Sequence, residues 1–274
     1  MIDLRSLTKE ERMALAKENY RIMSDEKHNH IRYGIDNTTE YCLNVTDIDD
    51  NDRVYNTNVT LNNNDSVTQL FVIERKAGDN IAVLNFASFK HPGGQYLSGS
   101  PAQEESLCHH STLYNVLETF EDTYYRTNRG QLNKALYQDV LLYTEDILFR
   151  NYLDTNHDYR EERLADVITC AAPNYGTYMR YFGNKSSQVD IYEVLKNRID
   201  LVLQSAYFNK ANVLILGAFG CGVFKNSPNQ VANVFMDLLN DKYRGIFKDV
   251  YFPIPKGKDG NYDEFERVFY ERSV

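Results

Sequence analysis

Val83-Leu84-Asn85-Phe86-Ala87-Ser88-Phe89-Lys90-His91-Pro92-Gly93-Gly94-Gln95-Tyr96-Leu97-Ser98-Gly99-Ser100-Pro101-Ala102-Gln103-Glu104-Glu105 is the stretch on which the fold turns. It opens as a short apolar run suited to a buried strand, breaks into glycine, and ends in Ser-Pro-x-Gln. That tetrapeptide reads as a helix start: Ser100 as N-cap, Pro101 at a position that needs no N–H, Gln103 reaching back. The same grammar recurs in Leu214-Ile215-Leu216-Gly217-Ala218-Phe219-Gly220-Cys221-Gly222-Val223-Phe224-Lys225-Asn226-Ser227-Pro228-Asn229-Gln230. Two strand–glycine–helix junctions point to an α/β protein.

Outward from these junctions the chain keeps alternating. Short, β-rich apolar runs predict strands over 68–73, 81–87, 166–171, 212–216 and 250–254. Helical spacings lie between them, in Leu113, Val116, Leu117 and Phe120, then Ile191, Val194, Leu195, Ile199 and Val202, then Val231, Val234, Phe235 and Leu238. The alternation favours an α/β sandwich with a largely parallel central sheet. Ahead of it, Leu4, Leu7, Met13, Leu15, Ala16, Tyr20 and Met23 predict a helix over 3–23. The Asn-, Asp- and Thr-rich stretch 36–66 reads as irregular loop with minor strands such as Val59-Thr60-Leu61. No linker divides the chain. Residues 1–66 are expected to form an N-terminal helical and irregular extension packed on a core over 67–274, a single unit and a monomer.

The 274 residues carry 39 acidic and 30 basic side chains, a net charge of −9. At 42% hydrophobic and 25% charged, the composition supplies a sizeable core and argues against disorder. The acidic balance speaks against an extended nucleic-acid-binding surface, which needs clustered Lys and Arg. Apolar runs of about six to eight residues fall well short of the ~20 that span a membrane. Cys42, Cys108, Cys170 and Cys221 lack CxxC or CxxH spacing, so neither a disulfide framework nor a zinc knuckle is expected. With no apolar leader at the N-terminus, a cytoplasmic, reduced setting follows.

A glycine loop feeding a helix start presents unpaired N–H groups and the positive end of the helix dipole, which suits phosphate. Two such loops at the carboxyl ends of neighbouring strands could clasp a diphosphate with little basic side chain. Turns and folding caps account for the glycines equally well from spacing alone. Glu104-Glu105 falls in the first helical turn, where acidic residues are ordinary. Their side chains diverge by about 100°, so one can face the crevice while the fold holds the other.

The segment Asn85-Phe86-Ala87 … Pro92-Gly93-Gly94 … Ala102-Gln103-Glu104-Glu105 … Leu107 … Ser111-Thr112-Leu113-Tyr114 resembles the signature of the microbial-type poly(ADP-ribose) glycohydrolases, a branch of the macrodomain superfamily. The second loop resembles that family's phosphate-binding loop, and Val167-Ile168-Thr169-Cys170-Ala171-Ala172-Pro173-Asn174 resembles a family strand and its following loop. The resemblance implies a macrodomain-like three-layer sandwich, with a mixed, largely parallel sheet between helices, that binds ADP-ribose or poly(ADP-ribose). It implies Glu105 as catalytic acid and Glu104 as the residue orienting the distal ribose, which Asn85 would also contact. Gly93 and Gly94 would shape the catalytic loop, with Gln95 and Gln103 also among the substrate-binding residues. Gly220, Cys221 and Gly222 would wrap the diphosphate and Phe224 would pack against the terminal ribose, with Val223 and Asn226 also among the substrate-binding residues. The family usually carries three glycines where this chain has Gly93-Gly94-Gln95. A required φ > 0 at the third position would strain Gln95 or reroute the loop.

The chemistry so implied is hydrolysis of the ribose–ribose O-glycosidic bond, with Glu105 donating a proton to the leaving oxygen and then activating water. The scheme needs no metal and no cofactor. His109 and His110 are adjacent and diverge, so they make no metal pair; His91 reads as a solvated loop residue within reach of substrate, and Lys225 either faces a phosphate or is solvated. Two other readings stay open: a macrodomain that binds ADP-ribose without turnover, and a hydrolase that removes single ADP-ribose units from a protein or nucleic-acid acceptor. A reader has no use for the acid, so the Glu pair argues for turnover.

Overall fold

The computed structural model describes residues 2–44, 47–183 and 190–272. In chain order the elements are α1 (Lys9–Glu26), α2 (His28–Asp36), β1 (Thr38–Cys42), β2 (Asn58–Asn62), α3 (Ser66–Val72), β3 (Ile81–Phe86), α4 (Gln103–His109), α5 (Leu113–Leu117), α6 (Arg126–Gly130), β4 (Val140–Tyr152), β5 (Tyr159–Cys170), α7 (Tyr175–Tyr181), α8 (Ile191–Phe208), β6 (Val213–Ile215), α9 (Pro228–Asn240), β7 (Asp249–Pro253) and α10 (Asn261–Arg272). The strands form one sheet ordered β1-β4-β5-β3-β6-β7-β2. The pairs β5–β3, β3–β6, β6–β7 and β7–β2 are parallel, while β1–β4 and β4–β5 are antiparallel.

The period of two along a strand builds the layers. In β3, Ala82 and Leu84 point to one face and join the core formed with Leu195 and Ile199 of α8, Val231 and Phe235 of α9, and Phe265 of α10. Ile81 and Val83 point to the other face, against Leu70 of α3, Leu107 of α4, Val116 of α5 and Met23 of α1. Helices therefore cover both sides of the sheet, as a mostly parallel sheet requires. Among the described residues, no helix is long and apolar enough to cross a membrane.

The N-terminal region is built into this architecture. Thr8 caps α1 in a reciprocal box with Glu11: the Thr8 N–H donates to Oε2 at 2.7 Å and the Glu11 N–H to Thr8 Oγ1 at 3.2 Å. Both edges of the sheet, β1 and β2, come from residues before 66, so the sheet is assembled across the boundary drawn at 66/67. The expected helix over 3–23 starts later, at Lys9, and runs to Glu26. The expected strand over 68–73 is instead α3. Asp65 caps it by accepting the Thr68 N–H at 2.8 Å, and Val67, Leu70 and Phe71 fall on one buried helical face. The long hairpin β4–β5 was not expected in full, because Thr144-Glu145-Asp146 interrupts the apolar pattern where the register shifts between Thr144 and Ile147.

Candidate active site

Because β3 and β6 are hydrogen-bonded parallel neighbours, the loops that follow them emerge side by side at the carboxyl edge of the sheet. The first loop turns through Gly93 and Gly94, at φ +61° and +60°. Gln95 has φ −109°, so a side chain sits there without strain and the rerouting considered for a missing third glycine does not arise. Gly94 has a second constraint. A Cβ there would lie 2.6 Å from Glu105 Oε1 and 2.8 Å from Glu104 Oε2, so two carboxylates crowd one bare backbone position.

α4 delivers that pair. The helix begins at Gln103 with Ala102 as its cap, not Ser100, whose Oγ accepts the Ala102 N–H at 3.4 Å. The Gln103 side chain does not reach back as a capping box. Its Oε1 accepts the Phe86 N–H at 2.8 Å, and its Nε2 donates to Leu84 O at 2.8 Å and Ser66 Oγ at 3.1 Å. It thereby stitches α4 to the end of β3. Glu104 and Glu105 follow, 4% and 5% exposed.

The two carboxylates are treated differently. Glu104 has both oxygens engaged: Oε2 accepts the Ser88 N–H at 2.7 Å and Oε1 accepts from Asn85 Nδ2 at 3.3 Å. Burial pushes the Glu104 carboxyl well above its ordinary range and Glu105 adds to this, against the opposing Ser88 and Asn85 hydrogen bonds. Glu105 Oε1 accepts the Gln95 N–H at 2.8 Å, while its buried Oε2 has no partner among the described residues.

The second loop is pinned from behind. Gly220 has φ +72°, and a Cβ there would meet Ala172 Cβ and Asn226 Nδ2, each at 2.5 Å. Asn226 Nδ2 donates to Pro173 O at 2.9 Å and Gly220 O at 3.1 Å, fixing the loop against the end of β5. Ser227 caps α9 as expected, accepting the Gln230 N–H at 3.4 Å. Among the described residues, the N–H groups of Gly220, Gly222, Val223 and Phe224 donate to no protein acceptor, so they are available to an anion.

The loops enclose a cavity of about 870 Å³. Glu104, Glu105, Gly94, Gln95, Gln103, Gly220, Gly222, Val223 and Phe224 line it. Gly93, Asn85, Cys221 and Asn226 do not. Gly93 packs under the Tyr114 ring, and Asn85, fully buried, holds Glu104 from behind while reaching Thr169 Oγ1 at 3.4 Å. Cys221 turns into the sheet–helix core, where burial raises its thiol to about 12. These residues support the wall and do not form its surface, a distinction that spacing cannot show. Ser88, Phe89 and Tyr137 line the cavity without having been anticipated. The Phe89 and Tyr137 rings stack at 4.3 Å, and Phe224 meets Tyr137 edge-on at 6.0 Å. His109 is buried and held neutral, its value pushed down to about 3 by desolvation. Among the described residues, no group of three or more His, Cys, Asp or Glu stands where it could hold a metal ion.

Comparison with known proteins matches this geometry. The family model for the microbial-type PARG catalytic domain covers residues 8–151. Poly(ADP-ribose) glycohydrolase from Thermomonospora curvata, bound to the inhibitor ADP-HPD, is 29% identical and covers 94% of this chain and 99% of its own, with a TM-score of 0.78. The Deinococcus radiodurans enzyme in complex with ADP-ribose is 28% identical over 88% of this chain and 98% of its own, with a TM-score of 0.76. A sequence search of curated proteins finds no match. With paired carboxylates between two glycine loops and more than half its length matched, the chain belongs to the microbial-type poly(ADP-ribose) glycohydrolase (PARG) catalytic-domain family.

Proposed function

We propose that this protein hydrolyses the ribose–ribose O-glycosidic bond of poly(ADP-ribose), releasing ADP-ribose, with Glu105 as general acid and base. The observation that carries the assignment is the division of labour within the pair. Both Glu104 oxygens accept hydrogen bonds from the fold, whereas Glu105 keeps one buried oxygen, Oε2, free of any partner among the described residues. Protonated Glu105 gives its proton to the bridging oxygen as the C1–O bond breaks, and the sugar acquires oxocarbenium character. The resulting carboxylate then takes a proton from the water that attacks C1, which restores the acid.

Placement supports the remaining roles in this reading. Glu104, fixed by Ser88 and Asn85, orients the distal ribose; the free N–H groups of Gly220, Gly222, Val223 and Phe224 hold the diphosphate. Phosphate held by backbone dipoles leaves no trace in a charge count, so a net charge of −9 is compatible with a polyanionic substrate. A monomer in a reducing, cytoplasmic setting suits the four free cysteines. The test is incubation with poly-ADP-ribosylated and mono-ADP-ribosylated protein, each with a Glu105→Gln control. ADP-ribose released from polymer by the wild type alone supports the assignment. Release only from the mono-modified substrate, or from neither, overturns it in favour of a single-unit hydrolase or a reader.

A further inference from the structure

The N-terminal helix reaches the carboxylate pair through one buried amide. Asn19 of α1 is 1% exposed, yet both polar atoms of its side chain are engaged. Its Nδ2 donates to Tyr96 Oη and to Cys108 O, each at 3.1 Å, and its Oδ1 accepts from Tyr152 Oη at 2.8 Å. A carboxamide carries its two protons in one plane, so fixing the oxygen also fixes where both protons point. Tyr96 Oη in turn donates to Ala16 O at 2.9 Å, back on α1.

The two groups that Asn19 holds belong to the two halves of the support for Glu105. Among the described residues, Glu105 takes one hydrogen bond, from the Gln95 N–H at 2.8 Å. The donor lies in the catalytic loop, next to Tyr96, and the acceptor lies on α4, three residues before Cys108. Loop and helix are therefore bridged at Glu105 itself and again through Asn19. α1 also grips the loop at Gly99, whose O accepts from Arg12 Nε at 2.7 Å. The Tyr96 ring meets His109 edge-on at 4.8 Å, one helical turn beyond Glu105 on α4. A buried network of this kind is rigid while every member is satisfied and costly once one is removed.

We propose that Asn19 is a positioning residue for the acid: by tying Tyr96 to the end of α4, it sets where the Gln95 N–H meets Glu105. This rests on the reading of Glu105 as general acid and base. The test is single-turnover hydrolysis of poly(ADP-ribose) by the full chain as wild type, Asn19→Leu, Glu105→Gln and the double variant, with calorimetric titration of ADP-ribose. Asn19→Leu, which keeps the branched shape without the polar atoms, should slow the reaction by about tenfold to a hundredfold, as misplacing a catalytic group does. In the Glu105→Gln background the same change should slow the residual reaction by less than about twofold, because residues that act as one unit do not add. ADP-ribose affinity should stay within about threefold throughout, since the change acts on the acid and not on the diphosphate loop. Asn115 is the control: 4% exposed, it donates to Tyr20 O at 3.2 Å and Ser24 Oγ at 2.9 Å, tying α1 to α5 without a hydrogen bond to the loop. Asn115→Leu should keep the rate within about threefold of wild type. An equal slowing in both backgrounds, a slowing matched by Asn115→Leu, a loss of ADP-ribose affinity or an unchanged rate reduces Asn19 to core packing and overturns the inference. If Glu105→Gln alone turns over near the wild-type rate, the assignment of the acid fails and takes the inference with it. Should circular dichroism show that Asn19→Leu does not fold, Tyr96→Phe, which removes only the hydroxyl, is judged by the same cycle.

Discussion

Replacing Gly94 with alanine should damage both stability and catalysis, and the structure separates the causes. The residue has φ +60°, which costs an L-residue roughly 1–2 kcal/mol. The new Cβ would stand 2.6 Å from Glu105 Oε1 and 2.8 Å from Glu104 Oε2, against 3.4 Å for ordinary contact, so both carboxylates must retreat. Retreat of Glu105 breaks its 2.8 Å hydrogen bond from the Gln95 N–H. A hydrogen bond to a charged group is worth about 1.5–3 kcal/mol, so the combined loss is about 2.5–5 kcal/mol. At ~2–4 °C per kcal/mol for a chain of this size, Tm should fall by roughly 5–20 °C. Misplacing a catalytic group by on the order of 1 Å costs about 10²-fold in rate. Two other glycines are controls. Gly78 has φ +86° with nothing within 4 Å of a Cβ, so Gly78→Ala should show the conformational cost alone. Gly222 has neither a positive φ nor a neighbour within 4 Å, so Gly222→Ala should stay within about 0.5 kcal/mol of wild type. Thermal unfolding of the three variants and ADP-ribose release by Gly94→Ala complete the assay. A Gly94→Ala protein no less stable than Gly78→Ala, with a rate within threefold of wild type, would refute the crowding of both carboxylates around Gly94.

Other consequences follow from the same geometry. Glu105→Gln should lower kcat by about 10²–10⁴-fold, the range of general acid–base catalysis, while its amide oxygen still accepts from Gln95 and ADP-ribose binding holds; single-turnover kinetics and calorimetry decide, and near-normal turnover removes Glu105 from the chemistry. Glu104, raised above its ordinary value of 4.5 chiefly by burial, binds a proton more firmly in the folded than in the unfolded chain. Its contribution is therefore most favourable below about pH 4.5 and declines as pH rises through the folded value. Glu104→Gln should gain stability over wild type progressively above that pH, and parallel denaturation midpoints from pH 4 to 8 would contradict this. Arg198→Met should cost about 3–5 kcal/mol in urea unfolding, because Leu136 O, Ala171 O and Asp139 lose a fully buried partner; a loss under about 1 kcal/mol would show that the turn at Tyr137 holds itself.

The strands at 81–87, 212–216 and 250–254 were legible because each is a short apolar run, and β3, β6 and β7 stand there within a residue or two. The run at 68–73 misled because β-rich composition says less than the Asp65 cap and the helical spacing of Val67, Leu70 and Phe71. β4 escaped because its apolar pattern is broken at the bulge where Asp146 takes φ +51°. Within the site, the residues that motif spacing could reach are those whose backbone or first-turn position carries the chemistry: Gly94, Gly220, Glu104 and Glu105.

The sequence by itself determined the class of fold, the two glycine loops and the Glu pair at the head of a helix, since strand burial, glycine turns and helix starts are local properties of the chain. Which side chains reach the cavity was decided only by the tertiary structure. Asn85, Cys221 and Asn226 sit within or beside the same motifs as the lining residues, yet packing turns them into the wall's support. Tyr137 lies in no motif and arrives through a left-handed turn that Arg198, far along the chain, holds in place. The difference between the two carboxylates has the same origin: Glu104 and Glu105 are neighbours of one chemical type, and only the donors supplied by Ser88, Asn85 and Gln95 leave one of the four carboxylate oxygens without a partner among the described residues.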